Sequence, residues 1–93
     1  LNPTEKGFNN HNNNLVVINS NYLYENYEGE FNELWNNIYG KGDKVKYPVI
    51  NFNDFLIENY FCPEDLCEQK VFDVINSAKD NIYYVTFSFT SVF

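Results

Sequence analysis

Two cysteines, one histidine, a group of lysines and many asparagines are the residues of this chain that have chemistry to offer. Cys62 and Cys67 stand five apart, far from His11, the sole histidine. Two thiols and one distant imidazole are too few for a structural zinc site, so no metal is expected. A disulfide needs Cα atoms roughly 4.4–6.8 Å apart. Residues five apart inside a regular helix are somewhat too distant, so a bond requires Cys62 to stand outside the helix. Pro63 at the first helical position permits that. A Cys62–Cys67 disulfide is therefore read ahead of two free buried thiols. It would close a small loop, anchor the incoming strand to the helix, and imply an oxidising, extracytoplasmic setting; without it the compartment stays open. Lys41, Lys44 and Lys46 hold half of all the positive charge on one connector. They are either a phosphate-steering patch or a solvated linker, and the linker is the plainer reading.

The elements that must position these groups are set by the apolar pattern. Residues 61–90 read as a strand–helix–strand unit. Pro63 opens the helix, and Glu64 and Asp65 place negative charge at the positive end of its dipole. Cys67, Val71, Val74, Ile75 and Ala78 have the spacing of one buried helical stripe. Asp80-Asn81 breaks the pattern. Residues 82–89 are so continuously β-branched and aromatic that they suit a strand covered on both faces, as in a parallel sheet. Ser88 and Thr90 emerge at that strand's C-terminal end, where ligands are met in open α/β sheets.

Upstream, residues 1–14 are polar and turn-like, and 15–18 form a short apolar run expected to be a buried strand. Asn19-Ser20-Asn21 supplies a helix N-cap. Leu23, Tyr27, Phe31, Leu34, Trp35 and Ile38 then repeat at helical spacing, with Glu25, Glu28, Glu30 and Glu33 on the other face. The helix is expected to end near Gly40, and Gly29 inside it costs about 1 kcal/mol against Ala. Residues 47–50 and 55–57, with a turn at 51–54 between them, read as a hairpin or two short strands. The fold class is α/β: two helices packed on a small mixed, partly parallel sheet.

Two stretches resemble the phospholipase D superfamily, its nuclease-like and archaeal members most closely. The first is Asn2-Pro3-Thr4, then Gly7, then Asn12-Asn13-Asn14 leading into 15–18 and the helix Tyr22-Leu23…Tyr27…Glu30-Phe31…Leu34-Trp35. It is similar to the tail of the family's His-x-Lys signature motif and the strand and helix after that motif. The second is Cys62-Pro63-Glu64, the helix ending Val74-Ile75-Asn76-Ser77-Ala78-Lys79, and Phe87-Ser88-Phe89-Thr90. It looks like the opening unit of a family repeat. Family enzymes are duplicated, and the resemblance implies a junction segment: 1–40 the closing strand and helix of a first repeat, 41–46 a linker, 47–93 the opening of a second.

In the family one His attacks phosphorus and the other protonates the leaving oxygen, while Lys and Asn hold the non-bridging oxygens. The resemblance carries over only Asn2, as a phosphate-oxygen contact. Asn13 stands where nuclease-like members commonly have a Glu that orients the catalytic His; Asn13, Ser88 and Thr90 become substrate-proximal candidates, with strand-end capping the equal alternative for the last two. His11 has no Lys two positions on and reads as a surface-loop residue, so no catalytic residue is assigned. The function implied is a piece of a phosphodiesterase, a hydrolase, that is inactive alone and needs no cofactor. Its substrate, nucleic acid or phospholipid, is undecided. The alternative is a non-catalytic module of the same fold that binds a protein partner.

Composition limits these readings. Ninety-three residues make one small domain at most, and 44% hydrophobic with 19% aromatic residues is enough to argue against disorder. The formal charge of −7, with a pI near 4.4, counts against a free-standing nucleic-acid binder and against docking on anionic membranes. No apolar run is long enough to span a bilayer. The first residue is Leu1 rather than Met, so the chain is expected to be a piece of something longer. A duplicated fold cut at this point exposes unpaired strand edges, and a homo-oligomer is expected.

Overall fold

The computed structural model describes residues 4–10 and 15–84. Its elements are α1 (Glu5–Asn9), α2 (Asn21–Trp35), β1 (Val49–Phe52), β2 (Phe55–Glu58) and α3 (Cys67–Ser77). Helices and a small sheet make the described architecture mixed α and β.

The short helix α1 falls where the sequence predicts a polar loop. Thr4 caps it, its Oγ1 accepting the Gly7 N–H at 3.0 Å. Ser20 caps α2 as anticipated, its Oγ accepting the Leu23 N–H at 3.4 Å. The C-terminal end of α2 differs from expectation. It stops at Trp35 and not near Gly40, because Asn37 takes the left-handed conformation at φ 61. The Asn37 N–H then bonds the Leu34 carbonyl at 3.1 Å, and the Ile38 N–H bonds the Glu33 carbonyl at 2.9 Å. This is a Schellman ending with Asn in the place glycine usually fills.

β1 and β2 form an antiparallel hairpin with Ile50 opposite Ile57 and Phe52 opposite Phe55. Asn53 (φ 48) and Asp54 (φ 68) make the two-residue connection, the type I′ geometry whose twist matches the strands. Among the described residues this is the whole sheet, and it has no parallel pair. Leu15, Val16, Val17 and Ile18 do not form the expected buried strand: no described strand lies beside them, and they are 38–87% exposed. Residues 82–84 show no strand pairing, and the rest of the expected 82–89 strand lies outside the described residues.

α3 also begins later than its sequence suggests. Pro63 sits in the turn before it, where the Cys62–Pro63 peptide is cis. The Asp65 N–H bonds the Phe61 carbonyl and the Leu66 N–H bonds the Pro63 carbonyl, each at 3.0 Å. Leu66 (φ 54) leads into the helix without a side-chain cap. The stripe of α3 is not buried: Val71, Phe72, Val74 and Ile75 are 40–61% exposed. Ile50 is the one buried hydrophobic residue among those described.

Candidate functional site

The most constructed part of the molecule lies between α2 and the chain from Gly42 to Asp65. Here α2 turns inward a face rotated about a quarter turn from the one its aromatic spacing suggests, with Leu23 shared between the two. Asn26 is buried at 3% exposure and Leu23, Glu30 and Glu33 are half-buried, while Tyr27, Phe31, Leu34 and Trp35 stand outward. Phe31 and Trp35 stack on each other at 5.8 Å on that outer face, and Tyr27 meets the Phe61 ring edge-on at 5.1 Å.

The inward face is polar because it satisfies backbone. Asn26 Nδ2 donates to the Tyr47 carbonyl at 2.9 Å and to Asn59 Oδ1 at 2.8 Å, and Asn26 Oδ1 accepts the Tyr47 N–H at 2.9 Å. The Asn59 N–H in turn bonds the Pro48 carbonyl at 3.1 Å. One amide thus pins both flanks of the hairpin to the helix. Buried amide groups without such partners would be costly, so the knot is self-consistent.

Carboxylates continue the pattern along the connector. Glu33 Oε1 accepts the Asp43 N–H at 2.8 Å, Glu64 Oε1 the Gly42 N–H at 3.2 Å, and Asp65 the Val45 N–H at 3.1 and 3.3 Å through its two oxygens. Any side chain at Gly42 would run into the Glu33 carboxylate. Asp65, itself buried, also accepts the Phe61 N–H at 2.8 Å.

Glu30, Glu33 and Glu64 each bring one oxygen into a group whose members lie within 4.8 Å of one another. Burial raises the Glu30 carboxyl above its ordinary range, and the negative charges of Glu64, Glu33 and Asp65 add to that. Glu64 Oε2 is buried without a partner. Oxygen-only ligands of this kind suit a hard divalent cation, but three fall short of the six to eight oxygens calcium takes. Two of the three carboxylates are already engaged by backbone amides.

The residues singled out from the sequence have different fates. Asn2, Asn13, Ser88, Thr90 and His11 lie outside the described residues. Cys62 and Cys67 are bonded, their Cα atoms 5.8 Å apart. Lys46 pairs with Glu25 at 2.7 Å and lies 5.0 Å from the Tyr47 ring centre, while Lys41 and Lys44 are exposed. The Lys46 and Tyr47 hydrogen bonds hold the Glu25 carboxyl below its ordinary range. The residues that organise the site, Asn26, Asn59 and Asp65, carry no local sequence signal, because the partners of their side chains outside the neighbouring turn lie 20 to 33 residues away.

Among the described residues the site offers carboxylates and amides that bond backbone, and the Tyr47 phenol, which donates to the Glu25 carboxylate at 3.2 Å. No helix is long and apolar enough to cross a membrane. No family model, curated protein or solved structure matches the chain.

Proposed function

We propose that this chain is the junction segment of a phospholipase D-like phosphodiesterase, holding together the end of one repeat and the start of the next. The observation that carries the reading is the order of two signature-like stretches. Asn2-Pro3-Thr4, Gly7 and Asn12-Asn13-Asn14 precede a capped helix; Cys62-Pro63-Glu64 and the run from Val74 to Lys79, within which α3 ends, precede Phe87-Ser88-Phe89-Thr90. The described helices α2 and α3 stand within those two stretches. The outward aromatic face of α2 and the exposed stripe of α3 suit a segment whose neighbours cover both. In this reading, residues 82–89 complete a partly parallel sheet with strands of the second repeat.

The chemistry is limited by what the 93 residues contain. A phosphohistidine route needs one imidazole to attack phosphorus and another to protonate the leaving oxygen. The chain has one His and no His-x-Lys pair, so its share is Asn2 donating to a non-bridging phosphate oxygen, with Asn13, Ser88 and Thr90 near the substrate. The test is hydrolysis of bis(p-nitrophenyl) phosphate by the 93-residue chain and by a longer protein that contains it. The chain alone gives no turnover above buffer. In the longer protein, Asn2→Ala lowers kcat by roughly 10²–10³, the usual loss for one oxyanion donor. Robust turnover by the 93 residues alone contradicts the assignment of roles.

A second reading is favoured by the exposed Phe31–Trp35 stack: a non-catalytic module that presents this aromatic face to a protein partner. A longer protein that hydrolyses no phosphodiester, yet loses a partner on Trp35→Ala, favours it over the first.

A further inference from the structure

Three consecutive residues of the loop closed by Cys62 and Cys67 each hold a different point of the connector between α2 and β1. Pro63 packs on Gly40, so closely that a Cβ there would lie 3.2 Å from Pro63 Cδ. Gly40 sits at φ 62, where glycine is the residue that fits without strain. Glu64 takes the Gly42 N–H and Asp65 takes the Val45 N–H, as well as that of Phe61 at the loop's entrance. Directly after them, Leu66 is at φ 54, a conformation a leucine seldom adopts. The disulfide spans this short stretch from exposed Cys62 to Cys67, the first residue of α3.

We propose that the Cys62–Cys67 bond is a redox-controlled clasp. Oxidised, it presents Pro63, Glu64 and Asp65 together against residues 40–45. Reduced, it lets the loop relax from Leu66 outward and releases the Gly42 and Val45 amides, so that the connector parts from the start of α3. The inference is independent of the phosphodiesterase reading.

The physical grounds are two. A covalent closure this short removes most of the loop's alternative shapes, and here those shapes decide whether three contacts form at once. Cys62 is also open to attack. A thiolate of a small dithiol adds to Cys62 Sγ and expels Cys67 Sγ as a thiolate at the positive end of α3, which favours it as the leaving group. The dithiol's second thiolate then displaces Cys62. The balance is two protein thiols gained and one disulfide formed in the reagent, a two-electron exchange. The Asn26 knot lies outside this path, so Tyr47 and Asn59 keep their bonds in either state.

The experiment is residue-resolved amide exchange on the 93-residue chain before and after dithiothreitol, with thiols titrated in both states. The expected result is no free thiol before and two after, with exchange at Gly42, Val45 and Phe61 rising roughly tenfold while Tyr47 and Asn59 stay within about twofold. A Cys62→Ser/Cys67→Ser variant shows the reduced pattern without reagent. Asp65→Asn accelerates Val45 and Phe61 exchange even in the oxidised chain. Two titratable thiols in the air-oxidised chain, unchanged exchange after reduction, or an equal rise at Tyr47 and Asn59 each overturn the proposal.

Discussion

The inner face of α2 and the stripe of α3 are built from opposite materials and meet opposite fates. α2 buries Asn26 and half-buries two glutamates, leaving Phe31 and Trp35 outside. α3 has valines, an isoleucine and a phenylalanine at helical spacing, and none of them is buried. The first helix is held because its polar groups bond backbone amides and a carbonyl of the connector and hairpin flanks. The second has spacing suited to burial, yet Val71, Phe72, Val74 and Ile75 stay 40–61% exposed. Amphipathic spacing states which face can be buried. It does not state whether a partner for that face is at hand, and in this chain side-chain-to-backbone bonds decide the packing instead.

Six substitutions sharpen or break the contrast. Asn26→Ala has the largest expected effect. It leaves the Tyr47 N–H, the Tyr47 carbonyl and Asn59 Oδ1 without the bonds Asn26 gives them, and the loss is about 2–4 kcal/mol, measured as a fall in the urea midpoint. Ser20→Ala comes next at about 1 kcal/mol, because the Leu23 N–H loses its acceptor; helicity by circular dichroism falls with it. Glu30→Gln acts in the other direction. The folded Glu30 carboxyl titrates above the ordinary 4.5, chiefly through burial. Its protonated form therefore favours the folded state fully below 4.5, and that benefit is lost as pH rises through the folded value. Urea midpoints at about pH 7 thus rise in the variant, and the difference closes below pH 4.5. The smallest effect belongs to α3: Val71→Gln, Val74→Gln and Ile75→Gln each change stability by under about 0.5 kcal/mol, as exposed helix positions do.

Much of the local structure was legible. Ser20 ahead of a long helical run marks the start of α2, and the turn read at 51–54 contains the Asn53-Asp54 connection, although Asn51 and Phe52 belong to β1. Endings were harder. Gly40 does take the left-handed conformation, but Asn37 does so first and stops the helix. Pro63-Glu64-Asp65 has the composition of a helix start, yet Asp65 commits its oxygens to Val45 and Phe61, and α3 opens only at Cys67. The site was least legible, since Asn26 looks like one more polar residue on a helix until Tyr47 and Asn59 are brought to it. The phosphate-contacting role of Asn2 rests on resemblance and lies outside the described residues.

Comparison of two variants in urea, monitored by circular dichroism, tests the central contrast most directly. One is Asn26→Ala; the other is the triple Val71→Gln/Val74→Gln/Ile75→Gln. Polar anchoring predicts a large drop in midpoint for the single change and almost none for the triple. A triple variant that unfolds first, beside an Asn26→Ala chain as stable as its parent, contradicts it.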